Sequence, residues 1–273
     1  MGYTDFSEYE KKQLFFFELE EFEKKIVLSY DSQASNGYEK IEYPVFMNDG
    51  FCDLDEMGYP KDFNDVDDAI KIDKNKHWKY QIKLYKELLS TADIDIKNSK
   101  GSILDFGCGR GGGISFYKNF YNFNYAIGLD LNYNHVRDAK KHEPNVVFDL
   151  STYRKLPIKS NFIDVVTCLE SIGYYQKVEL FANELFRITK NNCKVIISGN
   201  GAEDFFKTLI EKFEIAGFKI LKNRDITNNV AMGVAISKIK FFNISSKIHH
   251  ILSNDEKKYI VSNNSYRILV FTK

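Results

Sequence analysis

The chain lacks any excess of charge: Lys+Arg and Asp+Glu are both 38 over 273 residues. Such a balance creates no overall field to gather a phosphate backbone or anionic lipid, which argues against nucleic acid as a partner. Cysteine is sparse. Cys52, Cys108, Cys168 and Cys193 show neither CxxC nor Cys/His spacing, so no zinc or other metal site is expected, and reduced thiols fit a cytoplasmic protein. No apolar run approaches the roughly 18 residues of a membrane span. The opening MGYTDFSEYEKK lacks the basic and apolar regions of a signal peptide. Its Met1-Gly2 start suits myristoylation, but Phe6 stands where Ser or Thr is needed.

What is present is a hydrophobic content of 44%, enough for one substantial core. Residues 8–29 and 64–91 have helical periodicity, and the stretch between them at 43–63 is irregular and rich in Gly and Pro. Residues 1–98 are therefore expected to form a helical cap and lid segment. From Ser102 onward, short β-rich runs alternate with helical ones: SILDF, YAIGLD, VVFDL, FIDVVTCL, KVIISG, FKILKNRDI and finally YRILVFT, with helices expected at 113–121, 133–142, 177–189, 203–216 and 229–251. This alternation predicts an α/β, Rossmann-like domain over 99–273, with a mostly parallel seven-stranded sheet covered by helices on both faces. Gly217 stands where the fourth of these helices should stop.

The chemistry concentrates where the first strand meets a glycine-rich turn, Leu104-Asp105-Phe106-Gly107-Cys108-Gly109-Arg110-Gly111-Gly112-Gly113. Glycines there let the backbone approach a ligand at the carboxyl edge of the sheet. Gly107, Gly109 and Gly112 also satisfy the GxGxxG dinucleotide pattern. Asp105 separates the two readings. A carboxylate beside a pyrophosphate would be repelled, whereas a cofactor bearing an ammonium would be held by it. Asp130 ends the second strand, where its two oxygens could accept from both hydroxyls of a ribose. Leu131 could cover one face of the base, and His135 falls in the first turn of the next helix.

These motifs resemble the class I methyltransferases, in the branch that acts on sterols, phthiotriols, quinones and macrolides. LDFGCGRGGG resembles that branch's glycine loop, GLDLNYNHVRDAKK its acidic loop and helix, and LPIKSNFIDVVTCLESIGYY its segment around the fourth strand; EIAGFKI, RDITNNV and FMNDGF resemble further elements. The resemblance covers most of residues 43–273 and implies S-adenosylmethionine as cofactor, with Asp105, Gly107, Gly109, Asp130, Leu131, His135, Thr152, Tyr153 and Leu169 as its contacts. Three departures stand out. Thr152 replaces the acidic residue expected four positions before the LP pair, Ile163 replaces Phe before Asp164, and Tyr174 replaces the family's histidine.

The implied activity is methyl transfer to an oxygen or carbon of a small apolar acceptor. Glu170, Tyr174 and Tyr175 follow the fourth strand and are the candidates on the acceptor side. Tyr30, Phe46, Asn48 and Phe51 are candidates for the lid, Asp225, Thr227 and Asn228 for an acceptor-facing element, and His249 and His250 for helix surface. A non-methylating cyclase or a non-catalytic partner subunit of the same fold is the alternative. Nucleic-acid methylation is disfavoured by LESIGYY where an NPPY-like motif would stand. Association of identical copies is left open.

Overall fold

The computed structural model describes residues 12, 15, 16, 18–35, 46–54, 78–241 and 264–273. Helix α1 spans Glu21–Ser35 and α2 Lys79–Thr91; then follow β1 Ser102–Phe106, α3 Gly112–Phe120, β2 Tyr125–Asp130, α4 Tyr133–His142, β3 Val147–Leu150 and β4 Ile163–Leu169. A 3-10 turn at Ile172–Tyr174 leads to α5 Val178–Ile188, β5 Thr189–Ala202, α6 Glu203–Ile215, β6 Lys219–Asp225, α7 Thr227–Phe241 and β7 Asn264–Thr272. The second half of the helix expected at 229–251, with His249 and His250, lies outside the described residues.

The sheet has seven strands in the order β3-β2-β1-β4-β5-β7-β6. Pairings from β3 to β5 are parallel, while β7 runs antiparallel to both β5 and β6. Strand order reverses between β1 and β4, and crevices for ligands open at such switch points, outside the carboxyl ends of the strands. All five residues of β1 are buried, as expected of a central strand covered on both faces. At the opposite edge, Asp164 accepts the Ser102 N–H at 2.8 Å and meets Lys190 Nζ at 2.8 Å. These contacts bind the starts of β1, β4 and β5 together, so this family-matching aspartate serves the sheet.

The flanking helices form for legible reasons. α5 buries Phe181, Ala182, Leu185 and Ile188, and α6 buries Phe206, Leu209 and Phe213, each set on one helical face. Gly217 at φ 105° stops α6, as the sequence indicates. The Asn132 side chain caps α4 by accepting the N–H groups of Asn134 at 2.8 Å and His135 at 3.2 Å. All four cysteines are free and buried.

Candidate active site

A cavity of about 490 Å³ opens over the switch point, within the size range of small-molecule sites. Its floor is the turn after β1. Gly107, Gly109 and Gly111 have φ of 76°, 53° and 85°, a left-handed region that side chains resist. A Cβ on Gly107 would lie 2.4 Å from Ser171 Oγ, so the turn can pass beneath the β4 exit only as glycine.

Gly107, Gly109, Asp130, Leu131, His135, Thr152, Tyr153 and Leu169 all line this one cavity, so the structure brings together eight of the nine cofactor contacts that the sequence suggested. Asp130 Oδ2 accepts the Gly109 N–H at 2.8 Å, and Oδ1 accepts the Asn132 N–H at 2.8 Å with His135 Nδ1 3.4 Å away. Burial pushes the Asp130 carboxyl up, but the nearby His135 and the hydrogen bonds from Asn132 and Gly109 outweigh it and hold the group below its ordinary value.

The ninth, Asp105, is not among the lining residues. It pairs in register with Thr167 of β4, and Thr167 Oγ1 donates to its Oδ1 at 2.7 Å. Asp105 is buried at 1% exposure, so the contact expected of it is not among those that the cavity lining includes. Its Oδ2 is buried with no hydrogen-bond partner among the described residues, and burial pushes its pKa to about 7.

The cover comes from the N-terminal segments. Phe22, Ile26, Val27 and Tyr30 of α1 line the cavity, as do Phe46, Met47, Asn48 and Asp49. Three of the four lid candidates, Tyr30, Phe46 and Asn48, thus line the cavity. Phe51 instead packs in the core at 2% exposure. Two polar ties that sequence reasoning missed fasten α1: buried Glu23 receives Arg154 Nη2 at 2.8 Å, and Asp31 Oδ1 accepts Asn132 Nδ2 at 3.0 Å and Asn134 Nδ2 at 2.8 Å. The signal for them, acidic residues on a helix otherwise turned toward apolar surface, is too common to read alone.

On the other side, Glu170 takes a left-handed φ of 56° and runs over β5 toward β7. Its Oε1 accepts the Asp49 N–H at 3.0 Å and the hydroxyl of Tyr266. Burial, and secondarily the charge of Asp49, push its pKa to about 7. Tyr174 is 47% exposed at the cavity mouth, edge-on to Tyr30 at 6.4 Å. Tyr175 stacks on Tyr153 at 4.9 Å, and its hydroxyl donates to Ser171 Oγ at 2.9 Å. Asp225, Thr227 and Asn228 do not line the cavity. Asp225 Oδ1 instead accepts the Thr227 N–H at 2.8 Å at the start of α7.

The sheet order, glycine turn and acidic second-strand end together define the class I methyltransferase fold. Residues 104–197 match the family model described as a methyltransferase domain. A fatty-acid O-methyltransferase of Mycolicibacterium smegmatis is 27% identical over 148 residues, which is 54% of this chain and 49% of that protein. The chain thus matches about half the length of this curated relative. Among solved structures, the [4+2]-cyclase SpnF matches with a TM-score of 0.66 at 15% identity, over 92% of this chain and 96% of its own. Geranyl diphosphate C-methyltransferase of Streptomyces coelicolor A3(2) matches with a TM-score of 0.64 at 12% identity, over 93% and 98%. These two likenesses concern the fold.

Proposed function

We propose that the protein binds S-adenosylmethionine in this cavity and transfers its methyl group to an oxygen or carbon of a small, largely apolar acceptor. The observation that carries the reading is that a single cavity joins the glycine turn and Asp130 at one end to Glu170 and an aromatic cover at the other. The donor set fits the cofactor. Asp130 offers anionic oxygens to ribose hydroxyls, Leu131 an apolar face to adenine, and Thr152 with the Tyr153 N–H a polar edge; Gly107 and Leu169 leave room for the methionine part. Asp105 is tied to Thr167 of β4.

The cofactor supplies an electrophilic methyl on a sulfonium. The protein's share is alignment and exclusion of water, and positioning contributes about 7–11 kcal/mol in well-oriented systems. Where the acceptor carries a proton, Glu170 receives it. Tyr174 stands at the mouth and Tyr175 braces the wall. The fatty-acid O-methyltransferase likeness supports an apolar acceptor.

Incubation with labelled cofactor and fractionated extracts tests this. Label is expected in an organic-soluble small molecule. Label in protein or RNA overturns the acceptor class. Calorimetric binding of S-adenosylhomocysteine without transfer to any fraction supports a non-methylating role, and no binding by folded protein overturns the whole reading.

A further inference from the structure

Tyr266 lies in the last strand, far in sequence from every motif of the site, yet its hydroxyl donates to Glu170 Oε1 across 96 positions of chain. The ring is buried at 4% exposure. Its backbone is fixed on both sides: the Tyr266 N–H donates to Thr227 Oγ1 at 2.8 Å, and its carbonyl accepts the Ile226 N–H at 2.8 Å. The Glu170 N–H in turn donates to the Ser198 carbonyl at 2.8 Å. Glu170 is thus held at both ends, and a non-glycine residue at positive φ persists only where its surroundings over-determine it.

We propose that Tyr266 is a positioning residue for the reaction: together with the Asp49 N–H it clamps one oxygen of Glu170, leaving the other to take the proton of a hydroxyl acceptor. The inference rests on the methyl-transfer reading above. As the new O–C bond forms and the C–S bond breaks, the electron pair of the C–S bond stays on sulfur. The acceptor's proton passes to the Glu170 carboxylate and then to water. Among the described residues no hydrogen bond reaches the second oxygen of Glu170, and no lysine or arginine lines the cavity. A carboxylic acid is already ionised near neutrality and has no proton to give such a base. A hydroxyl acceptor therefore gains a base here that a carboxylate acceptor would not need.

The charged or titratable groups facing Glu170 are Asp49, whose charge raises its proton affinity; Tyr266, whose hydrogen bond lowers it; and the tyrosines Tyr30 and Tyr85, which feel its charge. Removing the Tyr266 hydroxyl takes a donor from the charged form, so the Glu170 midpoint must rise. The test follows the ¹³C resonance of the Glu170 carboxyl with S-adenosylhomocysteine bound, assigned by its disappearance in Glu170→Gln. In Tyr266→Phe the midpoint should move up by about one pH unit, a tenfold gain in proton affinity. Site-specific 3-fluorotyrosine at position 266, a stronger donor in nearly the same volume, should move it down and keeps the question answerable if the Phe variant fails to fold. An unmoved midpoint in the folded variants, or shifts of the opposite sign, overturns the proposal. The titration needs no acceptor, so its failure is distinct from failure of cofactor binding in the wild-type protein.

Discussion

Both oxygens of Asp130 already accept a backbone N–H, from Gly109 and from Asn132. A carboxylate oxygen has a second lone pair, so the same side chain can shape the loop and still accept from a ligand. Hydrogen bonds to a charged group contribute about 1.5–3 kcal/mol. Asp130→Ala is accordingly expected to weaken S-adenosylhomocysteine binding by about ten- to a hundredfold in calorimetry. An unchanged affinity would remove the ribose contact from this residue. Thr152 poses a weaker case, since among the described residues its Oγ1 accepts only the Arg154 N–H at 3.4 Å.

Among the elements, α1 has the most unusual attachment. Its cavity-facing residues Phe22, Ile26, Val27 and Tyr30 recur at helical spacing, while Glu23 and Asp31 reach the loops after β3 and β2. Glu23 is only 1% exposed, and removing the partner of a buried ion leaves an uncompensated charge. Arg154→Ala should therefore loosen α1 and raise the dissociation rate of S-adenosylhomocysteine by about tenfold, equivalent to about 1.4 kcal/mol. Trp78, the single tryptophan of the chain, lines the cavity and supplies the fluorescence for a stopped-flow measurement. A rate equal to wild type would show that α1 does not retain the ligand.

Elements were more legible in the sequence than contacts. β1 matches the SILDF run and α4 matches 133–142, because periodicity and glycine or asparagine punctuation act within a few residues. The glycine loop was legible for the same reason. Asp105 lies off the cavity lining, and motif spacing says nothing of which way a buried strand residue faces. Asp225 and Thr227 misled because a short polar run before a helix serves equally as a cap. Tyr266 was hidden within a run that reads only as core strand, and the α1 ties join residues more than 100 positions apart.

For the whole molecule, buried acids set the response to pH. Asp105 and Glu170 are each pushed up to about 7 by burial, against about 4 in an unfolded chain. Between those values the folded state binds more protons than the unfolded one, so stability falls as pH rises from about 4 through 7 and then levels. Asp130 and Asp164, held low, act in the opposite sense: the stability they contribute is present above about pH 4 and is lost as the pH falls through their folded values. Urea unfolding at about pH 5 and pH 8 should show the more stable protein at pH 5. Asp105→Asn should flatten that difference, and a variant with the wild-type slope would locate the linkage elsewhere.

The antiparallel β7 lies between β5 and β6, although both of those strands precede it in the chain. Synthesis is vectorial, so β1, β2 and β4 are complete while β5 and β6 still lack the strand that separates them. Unpaired strand edges invite wrong partners, and this pair of edges stays open until residues 264–272 leave the ribosome. Those same residues deliver Tyr266 to Glu170. Synthesis thus orders the site: the glycine loop and Asp130 are made early, and the clamp on Glu170 is completed only when the chain has closed its sheet.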